Sequence, residues 1–231
     1  MKFTMKFRPP MVVWIALLAC LAPLPLIVVL ILVRSFVEAR YIPSSAMEPS
    51  LQINDRILVD KTWRFTHAPF TRGEIILFYP PPIEMGGKDL IGDLPHTLGR
   101  LTGLPIFPFE PAYIKRIVGL PGDKIAIKHR IGVHVNGKLL SEKYVAEYPD
   151  YDLNVLGDIG GRDVSGDIIK PYSEQATKPI VVPPNEFFVL GDNRNNSEDS
   201  HVWGFVDQDR IIGIATMKLD GTKIEVPQYD Q

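Results

Sequence analysis

AIKHRIGVHVNGKLL, running from Ala126 to Leu140, carries the sharpest local signal in the chain. Asn136-Gly137 accepts the positive φ angles of a two-residue hairpin turn. The run Ala126 to Val135 before it and Lys138-Leu139-Leu140 after it read as the paired strands. Outward from this hairpin, short runs rich in Ile, Leu and Val recur on both sides. They are Arg56 to Lys61 (RILVDK), Gly73 to Tyr79 (GEIILFY), Ile180 to Val182, Glu186 to Leu190, Ile211 to Leu219 and Lys223 to Val226. No stretch after residue 40 sustains the 3.6-residue period of an amphipathic helix. The expectation is a mainly β core over 41–140 and 179–231. Two stretches are too long for ordinary connections. Residues 80–111, rich in Pro and Gly, read as an inserted loop or flap. Residues 141–178, polar and carrying Gly157, Gly160, Gly161 and Gly166, read as an inserted segment or small subdomain.

Composition agrees with a globular β protein. The chain has 231 residues, 45% hydrophobic and 23% charged, which excludes a disordered or collagen-like chain. Its 21 prolines, about 9% against a usual ~5%, favour short strands joined by turns over a helical bundle. A net charge of −2 gives no reason to expect nucleic acid as a partner. The single cysteine, Cys20, excludes an intramolecular disulfide and a Cys-based zinc site.

Met11 to Val33 contains no charged side chain. As a helix it would be roughly 34 Å long, enough for a hydrocarbon core of about 30 Å. Pro23 and Pro25 would kink it or split it into half-helices. Lys2, Lys6 and Arg8 precede it with no acidic residue among them, so residues 1–10 are expected in the cytoplasm and everything after residue 34 across the membrane. The apolar run is too long for a cleaved signal peptide, although Val37-Glu38-Ala39 would suit a cleavage site. The span 11–33 is therefore expected as a transmembrane signal-anchor, and 34–40 as a juxtamembrane linker.

His67, His96, His129, His134 and His201 are scattered without a metal-binding spacing, so no metal and no cofactor is expected; spacing alone does not exclude a Ser-His-Asp triad, yet no G-x-S-x-G elbow is present. Lys115 is more informative. It sits among Tyr113, Ile114, Ile117 and Val118 in a strand-like run. Desolvation disfavours an ammonium; to serve as a base near pH 7 the amine's pKa must fall by about three from about 10.4, roughly 4 kcal/mol of differential stabilisation.

Four segments follow the anchor in order. They are Tyr41 to Leu51 (YIPSSAMEPSL) with Asn54 to Val59 (NDRILV); Arg72 to Phe78 (RGEIILF); Tyr113 to Asp123 (YIKRIVGLPGD); and Gly191 to Ser200 (GDNRNNSEDS) leading to Trp203-Gly204-Phe205-Val206. Together they closely resemble the sequence boxes of bacterial type I signal peptidases, membrane-bound Ser/Lys proteases that cut signal peptides from exported proteins. The resemblance implies a transmembrane helix followed by an all-β catalytic core of antiparallel sheets.

By the same resemblance, the nucleophile is the serine immediately before the Met of an S-x-S-M sequence, with Lys115 as its general base. Here that position is Ala46, whose methyl group cannot attack a carbonyl. In an extended segment Ser45 would point to the opposite side, and Ser44 is displaced by about 7 Å along the chain. Ser44 instead matches the family position whose hydroxyl helps form the oxyanion hole. Everything around the missing hydroxyl is intact, which favours a disarming Ser→Ala change at 46. The alternative is a naturally inactive, membrane-tethered, peptide-binding pseudoprotease.

The resemblance assigns the remaining positions as well. Ser197 would orient the lysine, Asp192 would pair with Arg116, and Asp199 would pair with residue 201. The family often has Arg there, whereas this chain has His201, so that pair depends on the charge of a histidine. Ile42, Pro43, Met47, Leu51, Ile57, Tyr113 and Ile114 match positions that line shallow apolar pockets for small aliphatic substrate residues. The implied partners are signal peptides of exported preproteins, the lipid bilayer and the export machinery. Only about 12 residues separate Val33 from Ala46, which places the expected site at the surface of a cell membrane, on its extracytoplasmic side.

Overall fold

An apolar helix, α1 (Leu24–Phe36), passes directly into an edge strand, β1 (Val37–Tyr41). Residues 34–40, expected as a linker, are thus the end of a helix and the start of the sheet. Half-buried Glu38 and Arg40 alternate along β1 with exposed Val37, Ala39 and Tyr41. Glu38 bridges Arg40 at 2.5 Å and Lys61 at 3.0 Å. Burial alone would raise the Glu38 carboxyl, but Arg40 and Lys61 outweigh it and hold it below its usual value. The polar residues are the ones turned inward, so apolar alternation could not reveal this strand.

The computed structural model describes residues 24–81, 112–153 and 179–229, with the single positions 11 and 22. Among the described residues no helix is long and apolar enough to cross a membrane. Residues 1–10 and, apart from 11 and 22, the part of the expected span before Leu24 lie outside them. So do most of the expected flap, 82–111, and residues 154–178 of the second insertion.

After β1 come β2 (Arg56–Asp60), α2 (Trp63–Thr66), β3 (Ile75–Phe78), β4 (Tyr113–Gly119), β5 (Lys124–Lys128), β6 (Gly132–Val135), β7 (Lys138–Leu139), β8 (Ile180–Val181), β9 (Glu186–Leu190), α3 (Ser200–Trp203), β10 (Val206–Asp207) and β11 (Ile211–Lys218). Among the described residues these strands form two sheets, ordered β1-β2-β11-β3-β4-β9-β10 and β7-β6-β5-β8. Every strand pairing is antiparallel.

The Asn136-Gly137 turn is present, with φ of 53° and 82°, and joins β6 to β7. The run before it is not one strand. Arg130 and Gly132, at φ 54° and 126°, reverse the chain between β5 and β6, so residues 126–135 supply a second hairpin. Residues 223–226, expected as a strand, contribute a single bridge from Lys223 to Met217.

The centre of the large sheet is buried on both faces. Ile75 and Leu77 of β3 face a core with Ile42, Met47, Leu51 and Ile57, while Ile76 and Phe78 face one with Ile117, Phe187 and Trp203. Such a strand reads as a continuous apolar run. β4 beside it is buried almost throughout, yet it carries Lys115 and Arg116. Residues 141–153 of the second insertion join the body of the protein: Glu142 is buried and Leu153 packs with Ile125, Ile127 and Val133.

Candidate active site

Strand register brings the separated segments together. On β4, Lys115 lies opposite Ile76 of β3, and Arg116 lies opposite both Ile75 and Leu190 of β9. Leu190 is the last residue of β9, so the chain that follows, Gly191 to Ser200, starts beside these two basic residues. Lys115 is only 5% exposed, and its Nζ donates to Ser197 Oγ at 2.7 Å. Ser197 Oγ in turn donates to Asp199 Oδ2 at 2.8 Å.

Asp199 is fully buried and has further donors. The Gly191 N–H reaches Oδ2 at 2.9 Å, and His201 Nδ1 lies 2.6 Å from Oδ1. An ionised carboxylate only accepts, so the imidazole N–H donates. Burial would raise the Asp199 carboxyl, but the His201 hydrogen bond and charge, Lys115 and the Gly191 N–H outweigh it and hold it low. His201 therefore makes the contact expected of residue 201, and its ring stacks on Tyr151 with centroids 4.2 Å apart.

Arg116 and Asp192 form the second expected pair, both essentially buried, with Nε and Nη2 donating to the two carboxylate oxygens at 2.8 and 2.7 Å. Such a parallel pair fixes orientation as well as distance. Arg116 also donates to the Gly73 carbonyl at 2.6 Å and to Ser50 Oγ at 3.2 Å, tying the first, second and fourth segments to one guanidinium.

Ala46 lies in a single 3-10 turn, Ser45–Met47, that rests on the fourth segment. Its carbonyl accepts the Asn193 N–H at 3.1 Å, the Ser45 carbonyl accepts Asn193 Nδ2 at 3.1 Å, and Ser45 Oγ accepts Asn196 Nδ2 at 2.9 Å. Gly191 makes this approach possible. A Cβ there would stand 2.5 Å from the Ala46 carbonyl oxygen and would overlap Ser197 Oγ. Ala46 and the lysine's hydrogen-bond partner thus lie against one glycine. Ser44 precedes the turn in extended conformation, is exposed, and its side chain caps no N–H of the turn.

The residues matched to pocket positions divide into two groups. Ile42, Met47, Leu51 and Ile57 are at most 1% exposed and pack with Ile114 in one core cluster, because the β1–β2 region turns them inward. They form the floor under the Ala46 turn and offer almost no side-chain surface to a ligand. Pro43 is exposed and Tyr113 half-buried, with its ring 6.3 Å from that of Phe78.

Several neighbours of this site carried no assignment from sequence. Arg194 and Gly191 stand inside the fourth segment, where the sequence alone assigns them no role. Glu142, Tyr144 and Tyr229 belong to stretches with no recognisable pattern. Arg194 is 1% exposed and meets Glu142 end-on, with Nη1 and Nη2 donating at 2.9 and 2.5 Å. Burial works against the Arg194 charge, but the facing carboxylate outweighs it and holds its pKa above the ordinary arginine value. Tyr144 donates to Glu142 at 2.8 Å, accepts from Tyr229 at 3.0 Å, and lays its ring 4.1 Å from the Arg116 guanidinium carbon.

The sequence has relatives that bear on this arrangement. The family described as "Signal peptidase, peptidase S26" matches residues 13–219. The chain is 36% identical over 215 residues to the "Probable signal peptidase I-2" of Synechocystis sp., covering 93% of this chain and 77% of that protein. It is 35% identical over 188 residues to the "Signal peptidase I" of Leptolyngbya laminosa, covering 81% and 71%. A crystal structure of a signal peptidase I from Enterococcus faecalis aligns with a TM-score of 0.39 at 27% identity, covering 64% of this chain and 98% of that one. With its family match spanning nearly the whole sequence, the chain belongs to the signal peptidase family, peptidase S26.

Proposed function

We propose that this chain is the scaffold of a membrane-bound serine endopeptidase that cleaves N-terminal signal peptides from exported preproteins with a Ser/Lys dyad. In this reading Ala46 makes it a catalytically disarmed Ser→Ala form. The observation that carries the reading is the 2.7 Å contact from buried Lys115 to Ser197, on the glycine that also supports Ala46.

With serine at 46, its hydroxyl oxygen attacks the scissile carbonyl while the neutral Lys115 amine takes the proton. Desolvation favours the neutral amine. Ser197 Oγ accepts one amine N–H and is itself anchored on Asp199, which fixes the direction of the amine. The backbone N–H of residue 46 and the Ser44 hydroxyl would stabilise the tetrahedral oxyanion. Collapse expels the amine of the mature protein, protonated by Lys115, and water then hydrolyses the acyl-enzyme.

The apolar residues 11–33 supply the anchor, with residues 1–10 in the cytoplasm and the β core on the extracytoplasmic side of the cell membrane, beside the export machinery. Signal peptides reach the site in extended form along Pro43, Tyr113 and neighbouring backbone, as alternate side chains of an added strand would. Ala46→Ser in detergent or lipid should cut a preprotein at the end of its signal peptide. A chain that binds the preprotein and still does not cut it would favour the peptide-binding pseudoprotease, for which Ala46 itself is the direct support.

A further inference from the structure

The buried Glu142–Arg194 pair takes no part in the proposed dyad chemistry, although it contacts the site's backbone. Arg194 meets Glu142 through its two terminal nitrogens, which frees Nε to donate to the Gly191 carbonyl at 2.9 Å. The N–H of the same glycine is held by Asp199, which also holds Ser197. Gly191 is thus gripped on both its polar groups. The next residue, Asp192, is gripped by Arg116, against whose guanidinium Tyr144 is packed. Burial pushes the Tyr144 hydroxyl well above 10.0, so it stays a donor to Glu142.

Glu142 and Tyr144, two residues apart, therefore reach Gly191 and Asp192 through one arginine each. Gly191 is the position whose placement sets the approach of the Ala46 carbonyl to Ser197. We infer that Glu142 and Tyr144, from the start of the inserted segment 141–178, are positioning residues for the lysine base, acting through Arg194 and Arg116. The inference rests on reading Lys115 as that base.

Removing Glu142 alone would strand a buried cation, and such a variant can lose its fold for that reason. Replacing a whole buried pair with apolar residues of similar volume is often tolerated. The test is therefore the double variant Glu142→Leu/Arg194→Met in the Ala46→Ser background, with Tyr144→Phe beside it. Tyr144→Phe keeps the ring on Arg116 and deletes the donor to Glu142, together with the acceptor for Tyr229.

For the double variant, kcat per folded molecule should fall by roughly 10- to 100-fold, the order expected for a displacement near 1 Å. KM should stay within about twofold, since the grip sets reacting-group geometry rather than substrate contact. Tyr144→Phe should show a smaller fall of the same kind, and the rising limb of its pH–rate profile should move to higher pH. An unchanged kcat in the double variant, or a loss accounted for by unfolded protein, would overturn the inference.

If Ala46→Ser itself cuts nothing, the dyad reading fails separately. The inference is then read in the Ala46 chain from the pH at which the Lys115 amine reacts with an acylating reagent, located by peptide mass spectrometry. That midpoint should rise in the double variant as water gains access to the amine. A midpoint that does not move would overturn the inference here too.

Discussion

Gly191→Ala places one methyl group where the Ala46 turn meets the Ser197 hydroxyl. The new Cβ would stand 2.5 Å from the Ala46 carbonyl oxygen and 2.6 Å from Ser197 Cβ, against 3.4 Å for ordinary contact. One side must retreat by roughly an ångström, and neither is the free end of a flexible side chain. The carbonyl belongs to a backbone turn held by Asn193, and Ser197 is held by Lys115 and Asp199. The φ angle at 191 lies outside the left-handed region, so the penalty is one of contact alone. Overpacking of this kind costs about 1–3 kcal/mol. For a chain of this size each kcal/mol lowers the melting temperature by about 2–4 °C, so a fall of roughly 2–12 °C is expected. A displacement near 1 Å between nucleophile and base should also lower turnover on the order of 10²-fold. Thermal melts and steady-state preprotein cleavage, in Ala46→Ser with and without Gly191→Ala, measure both. If melting temperature and kcat are both unchanged, the packing account of the site is refuted.

Ser44→Ala in the Ala46→Ser background should lower kcat by roughly 10²–10³ with KM nearly unchanged, because an oxyanion donor acts mainly on the transition state. Equal kinetics would remove Ser44 from the site. Ser197→Ala should reduce kcat while the far-UV circular dichroism spectrum stays the same, since it removes the lysine's acceptor but little packed volume. The Asp199 carboxyl is held below its ordinary value in the folded protein, despite burial, by His201, Lys115 and the Gly191 N–H. Its contribution to stability is therefore complete above the unfolded value, about 3.9, and is lost as pH falls through the lower folded value. Melting temperatures measured from pH 7 down to pH 3 should fall most steeply below about pH 4, and Asp199→Asn should flatten that acid limb.

The strands easiest to read from sequence were those whose environment suits a simple pattern. Arg56 to Lys61 alternates because β2 has a buried row, and Glu186 to Leu190 matches β9 residue for residue. β1 escaped because its inward residues are the ion-paired Glu38 and Arg40. The β5–β6 reversal escaped because it places Arg130, a residue with no turn preference, at positive φ. Lys115, Arg116, Ser197, Asp192 and Asp199 could be named because they sit in segments that resemble a known family. Local apolar runs around Lys115 also gave a physical reason to expect its burial. Glu142, Tyr144 and Tyr229 could not be found that way, since their roles arise from contacts across 52, 28 and 85 residues of chain. Ile42, Met47, Leu51 and Ile57 show the opposite limit. Matching them to family positions did not reveal that packing leaves them almost no free surface.

Cleavage of one preprotein by Ala46→Ser, compared directly with Ala46→Ser/Lys115→Ala, tests the central claim. Product N-terminal sequencing should show a cut at the end of the signal peptide with the single variant. Removing the base should lower the rate by on the order of 10⁶-fold. No cleavage by Ala46→Ser, or cleavage that survives loss of Lys115, would contradict the account.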